Sequence, residues 1–208
     1  MAVCFFSVYF QTIEYEFTKM KFVMRELMLA MLAFIFSPAV PAQVKDDVKR
    51  TFYIVRHAEK DTGSNPAISL AGQRRAGDLF RKLKDERIDI ILVSQYRRTA
   101  MTADSVRMYK QVDTMHYTAD ASGASLFQII AALPPKYKNI LIVGHSNTVP
   151  AIIRMTGVND YETKELADYE YDNFFVVKQI ANKAVLQQEK FGKLSVAPAA
   201  PAKMNTLQ

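Results

Sequence analysis

The sequence predicts an α/β fold, a three-layer α/β/α arrangement around a mostly parallel central sheet. Three observations lead there. First, TFYIVRH (51–57), DIILVS (89–94) and NILIVGH (139–145) are near-continuous apolar runs rich in β-branched residues, the pattern of strands buried on both faces. Second, segments with apolar residues at helical spacing alternate with these runs. Third, the chain has 208 residues, half of them apolar, which suits one domain with a real core.

The elements follow in order. Ser69 is placed to cap a helix that carries Leu70, Ala76, Leu79, Phe80 and Leu83 and ends near Lys84. Residues 98–110 suit a second helix, and the alternating VDTMHY (112–117) a short strand. Ser125 to Leu133 suits a third helix, stopped by Pro134 and Pro135. A fourth is expected over Asn147 to Met155. FFVVKQI (174–180) and KAVLQQEKF (183–191) read as a terminal hairpin or paired edge strands. No internal repeat is visible.

Residues 20–42, MKFVMRELMLAMLAFIFSPAVPA, read as a secretory signal peptide. Lys21 and Arg25 give the positive start, Leu27 to Phe36 the apolar run, and Val40 and Ala42 the small residues before cleavage at Gln43. The apolar run is short for a membrane span, and an uncleaved anchor is the alternative. Residues 1–19 carry Glu14 and Glu16 ahead of the basic start and read as a mis-called extension, with Met20 or Met24 as the true start. The mature domain is expected over 43–193, exported to the periplasm or secreted, with no stable membrane insertion after cleavage. Residues 194–208, rich in Ala and Pro, are expected to form a disordered tail.

Composition narrows the chemistry. A net charge of +6, with 23% charged residues and no Lys/Arg run, fits an anionic small-molecule substrate and argues against nucleic acid as a partner. The single cysteine, Cys4, precedes the mature domain, so no disulfide, zinc site or catalytic thiol can be built from it. No metal and no cofactor is predicted, and oligomeric state is not readable. Histidine chemistry must come from His57, His116 or His145.

Parallel sheets bind ligands beyond the carboxyl ends of their strands. There the first run ends in Arg56-His57, the second in Ser94 with Arg97 and Arg98 just after, and the third in Gly144-His145-Ser146. Arginine meets a phosphoryl group with a planar fork of donors. A histidine among arginines resists protonation, and a neutral imidazole has a lone pair that can attack phosphorus. His145 can donate to the same oxygens. His116 lacks such company and reads as an ordinary residue.

These residues fall in four ordered motifs that resemble the histidine phosphatase superfamily, the group with the phosphoglycerate-mutase-like fold. They are Arg56-His57-Ala58-Glu59, Ile68-Ser69-Leu70-Ala71-Gly72-Gln73-Arg74-Arg75-Ala76, Ser94-Gln95-Tyr96-Arg97-Arg98-Thr99-Ala100-Met101-Thr102-Ala103, and Val143-Gly144-His145-Ser146-Asn147-Thr148-Val149-Pro150. The resemblance spans roughly residues 51–180. The last motif is similar to that of a small exported bacterial branch.

The resemblance implies that His57 is the phosphorylated nucleophile, with Arg56, Arg98 and His145 forming the phosphate pocket and Ser146 and Asn147 adding donors. Arg98 is chosen over Arg97 on its spacing from Ser94. Many members supply a glutamate as general acid some 25 to 30 residues after the second arginine motif. Here no glutamate lies between Glu86 and Glu162, and Asp120 is the expected substitute.

The reading is thus a metal-independent phosphomonoester hydrolase of the histidine acid phosphatase type. The alternatives are a phosphoglycerate-mutase-type phosphotransferase, for whose enclosing loops the domain has little room, and a non-catalytic phosphate-binding module without the acid.

Overall fold

The structure is a computed structural model that describes residues 19–21, 24–25, 49–162, 164–180 and 183–198. The chain divides into two compact units, Met1–Asp46 and Asp47–Gln208. In the first, residues 19–21 and 24–25 are helical; the rest of the expected leader, like most of the expected tail, lies outside the described residues. Among the described residues no helix is long and apolar enough to cross a membrane.

The second unit contains the predicted α/β fold. In chain order its elements are β1 (Thr51–Arg56), α1 (Leu70–Leu83), β2 (Ile90–Ser94), α2 (Arg97–Lys110), β3 (Thr114–Tyr117), α3 (Ala124–Ala132), β4 (Asn139–Gly144), α4 (Val149–Met155), β5 (Asn173–Ile180) and β6 (Lys183–Lys190). The strands form one sheet in the order β3-β2-β4-β1-β5-β6. Pairings β1·β4, β2·β4 and β2·β3 are parallel; β1·β5 and β5·β6 are antiparallel. The predicted terminal hairpin is therefore the antiparallel edge of an otherwise parallel sheet.

Side chains alternate across each strand, and this splits the core between two faces. Ile54, Leu92, Ile142, Phe175 and Val177 pack with Leu126 of α3 and Ile152 and Ile153 of α4. Val55, Val93, Val143, Phe174 and Val176 pack with Leu79 and Leu83 of α1 and Val106 of α2. Both faces are covered, which is why the parallel strands are apolar at consecutive positions.

Boundaries follow local chemistry. The Ser69 hydroxyl accepts from Gly72 N at 3.2 Å and so caps α1. Gln111, at φ 53°, turns the chain out of α2 in the left-handed region. The strand expected from residue 112 begins at Thr114, after that turn. Helix α4 starts at Val149 because residues 145–148 form a turn: Thr148 N and Val149 N both donate to His145 O, and the Thr148 hydroxyl accepts from His145 N. The fourth helix is thus two residues shorter at its start than the sequence reading.

Glycine at 72 has a steric reason. A Cβ there would lie 2.2 Å from the Glu59 carbonyl oxygen and 2.9 Å from Ile68 Cβ. The first turn of α1 therefore presses directly on the backbone just after His57. Gly72→Ala is expected to destabilise the domain by roughly 1–3 kcal/mol through overpacking, seen as a lowered thermal midpoint, and to disturb the loop that carries His57.

Candidate functional site

Strands β1, β2 and β4 are parallel neighbours and end at one edge of the sheet. Arg56-His57, Ser94 and His145 stand at those ends, and Arg98 is in the first turn of α2. A cavity of about 430 Å³ opens there, lined by Arg56, His57, Arg98, His145, Ser146 and Asn147, together with Lys60, Tyr96, Thr148, Glu165 and Asp168. Its deep end is buried: His57 is 3% exposed, Arg56 4% and His145 6%. Arg97 does not line it; its backbone N–H donates to Asn65 Oδ1 at 3.2 Å.

The hydrogen bonds fix both imidazole tautomers. His57 Nδ1 lies 2.8 Å from the Ala58 carbonyl oxygen. A carbonyl only accepts, so Nδ1 carries the proton and Nε2 keeps its lone pair. His145 Nδ1 faces Arg98 Nη2 at 3.2 Å. A guanidinium only donates, so Nδ1 accepts and Nε2–H donates to Ser94 Oγ at 2.8 Å. The Ser94 hydroxyl lies 3.1 Å from Thr99 Oγ1, which donates in turn to Tyr96 O at 2.7 Å. The two imidazoles meet edge-on with centroids 5.2 Å apart.

Burial and surrounding positive charge keep both rings uncharged. Burial pushes the His57 pKa down to about 3; the Ala58 carbonyl opposes the shift, and His145, Arg98 and Arg56 add to it. Burial, then Arg98 and Arg56, pushes His145 down to about 4. An anionic ligand between Arg98 and His145 would reverse the charge term and favour an imidazolium at 145.

The cationic walls are held from outside. Arg56 Nη1 donates to Ala167 O at 2.7 Å and Asp168 O at 3.2 Å, its guanidinium stacks 4.2 Å over the Tyr171 ring, and Nη2 lies 4.0 Å from the Asp168 carboxylate. Arg98 stacks 4.4 Å over the Tyr96 ring. The Nε atoms of Arg56 and Arg98 are buried without a hydrogen-bond partner among the described residues. Two buried, unpaired guanidinium N–H donors suit an oxyanion ligand. Among the described residues no three His, Cys, Asp or Glu side chains group as a metal-ligand set.

Glu59 faces away from this chemistry. It is bidentate to buried Arg75, with Nε 2.9 Å from each carboxylate oxygen, and Arg75 also donates to Phe191 O and Lys193 O. Ala58 N donates to Thr102 Oγ1 at 2.9 Å, and Thr102 donates to Arg98 O at 2.7 Å. The backbone beside His57 and the helix that carries Arg98 are therefore fixed to one another.

Asp120 is not brought to the cavity wall; its neighbour Ala119 is. The Asp120 carboxylate caps the turn into α3, accepting from the Ser122 hydroxyl, Ala124 N and Ser125 N. These bonds, the Ser122 hydroxyl foremost, hold it below the usual carboxylate range. The carboxylates that line the cavity are Glu165 and Asp168, from the segment after α4. They and Tyr171 escaped the sequence reading because they lie in no motif, and only the fold returns that segment to Arg56. His116 sits exposed on β3 and does not line the cavity.

Comparison with known proteins gives the same direction. The model of the histidine phosphatase superfamily (branch 1) matches residues 52–120. No curated protein matches the sequence. Among solved structures, a protein described as phosphohistidine phosphatase SixA from Nakamurella multipartitia is 20% identical, with a TM-score of 0.51, over 72% of this chain and 98% of that one. A protein described as an alpha-ribazole-5'-P phosphatase from Escherichia coli K-12 is 15% identical, with a TM-score of 0.54, over 72% and 98%. A mycobacterial glucosyl-3-phosphoglycerate phosphatase is 11% identical, with a TM-score of 0.51, over 68% and 98%. At such identities the likeness is one of fold.

The buried imidazoles predict a pH dependence. Their folded-state pKa values, about 3 and about 4, lie below the ordinary 6.5. The unfolded chain therefore binds more protons than the folded one as pH falls below 6.5, and stability is lost in that direction. The thermal midpoint is expected to fall from pH 6.5 towards about 4. The fall should be shallower in His145→Gln, measured by thermal scans across that range.

Proposed function

We propose that this chain, a member of the histidine phosphatase superfamily, is a metal-independent phosphomonoester hydrolase that works through a phosphohistidine on His57. The observation that carries the reading is the tautomer of His57: Nδ1–H is committed to the Ala58 carbonyl, and Nε2 is left as an uncharged nucleophile in a pocket with two guanidiniums.

The chemistry follows from that placement. The phosphate dianion occupies the deep end, taking hydrogen bonds from Arg56, Arg98 and protonated His145, with Ser146 and Asn147 at its side. The Nε2 lone pair of His57 attacks phosphorus as the bond to the leaving oxygen breaks. That oxygen takes a proton and departs as an alcohol. Water then attacks phosphorus, the N–P bond breaks, its electron pair returns to Nε2, and inorganic phosphate leaves. Arginines fixed in advance stabilise charge on the transferring group without reorganising. The buried deep end takes the phosphate, whereas the mouth is open and polar, which favours a small phosphorylated compound as substrate. The leader reading belongs to the same proposal: cleavage after Ala42 would give an exported enzyme beginning at Gln43, which N-terminal sequencing of the mature protein would show.

His57→Ala is expected to abolish turnover of p-nitrophenyl phosphate with the domain still folded. In the unaltered protein, brief mixing with a labelled phosphate ester and an alkaline quench should leave acid-labile label on His57. A chelator should leave the rate unchanged. Retained turnover in His57→Ala would overturn the nucleophile assignment.

A further inference from the structure

Resting on the hydrolase reading above, we propose that Glu165 is the catalytic proton donor to the leaving oxygen. The cavity is polarised. Its deep end, where the phosphate belongs, is lined by buried Arg56, His57 and His145. The leaving group must therefore project towards the open mouth, and the donor must stand there. An alkoxide leaves slowly without a proton, and a positioned acid is typically worth about 10²–10⁴ in rate.

The side-chain carboxylates on the cavity wall are Glu165 and Asp168. Asp168 is the counter-ion of Arg56, 4.0 Å from its Nη2, while its backbone oxygen takes a hydrogen bond from the same guanidinium. Asp120 is spent on the turn into α3. Glu165 lines the cavity and has no hydrogen bond or ion pair with another described residue. The backbone that follows it is held at two points. The next residue, Leu166, donates its N–H to Ser146 O at 3.1 Å, beside His145. The residue after that, Ala167, gives its carbonyl to Arg56 at 2.7 Å. The segment immediately after Glu165 is thereby held against the two strand ends that supply the histidines, with Glu165 on the cavity wall. Lys60 and Tyr96 also line the cavity, but an ammonium and a phenol are much weaker acids than a carboxyl group.

In the first step the Glu165 carboxyl proton passes to the leaving oxygen as the P–O bond breaks, releasing the alcohol. In the second, the Glu165 carboxylate takes a proton from the attacking water as the N–P bond breaks, which restores the carboxyl group. The net reaction consumes one water and yields alcohol and phosphate.

The test compares Glu165→Gln with the unaltered chain on p-nitrophenyl phosphate, phenyl phosphate and an alkyl phosphate. We expect kcat/KM to fall about 100-fold or more on the alkyl ester and far less on the nitrophenyl ester, whose leaving group needs no proton. The alkaline limb of the pH profile for the alkyl ester should flatten, and Glu165→Asp should recover part of the rate. The nitrophenyl rate and acid-labile label on His57 report that the variant is folded. Equal losses on all three esters, or no loss on the alkyl ester, would overturn the assignment. So would an alkyl-selective loss found instead in Asp120→Asn, Asp168→Asn or Lys60→Met. If the unaltered chain neither turns over nor takes label, the hydrolase reading itself fails. If it does both and Glu165→Gln keeps the same leaving-group dependence, only the role of Glu165 fails.

Discussion

The site depends on keeping two buried imidazoles uncharged beside two guanidiniums. Burial is the largest cause at both His57 and His145, and the nearby arginines act in the same direction. Such a cup is electrostatically unfavourable by itself, because buried positive charge without a partner is costly. The protein offsets this with oxygens and aromatic faces behind the arginines, leaving the cavity side for a ligand. Arg56 takes backbone carbonyls and the Tyr171 ring, and Arg98 takes the Tyr96 ring. In the proposed function, a phosphate dianion would complete the charge balance and at the same time favour the protonated state of His145.

The shell behind the cup is continuous. The hydroxyls of Ser94, Thr99 and Thr102 link His145, Ala58 and the first turns of α2. On the other side, Tyr171 N donates to Ser195 Oγ, and Ser195 N donates to the buried Asp172 carboxylate at 2.9 Å. Arg75 joins Glu59 to Phe191 and Lys193. The C-terminal strap therefore braces both the loop after His57 and the segment that holds Arg56. Ser195 belongs to that brace, although its composition assigns it to the tail. Short polar side chains in an Ala- and Pro-rich stretch give no advance notice of buried partners.

Much of the fold was legible from local pattern. Apolar runs of five or six residues identified β1, β2 and β4, and helical spacing identified the layers over them. The short edge element β3 began later than expected because a left-handed residue at Gln111 had to close α2 first. The candidate site divided along the same line. Residues directly following strands could be placed from sequence, since a strand's end fixes where its next residue stands. Asp120 could not, because whether a carboxylate faces a cavity or caps the next helix depends on a turn geometry set by residues 122–125.

By itself, the sequence determined which side chains would stand at the carboxyl ends of three buried strands, because strand ends are encoded in short-range apolar pattern. Only the tertiary structure decided how those groups are protonated, which carboxylates stand at the mouth, and what holds the arginines in place. Those matters rest on contacts between residues more than a hundred positions apart, such as Arg56 with Ala167 and Arg75 with Phe191. Such pairings form only when the whole sheet closes, so no local pattern records them.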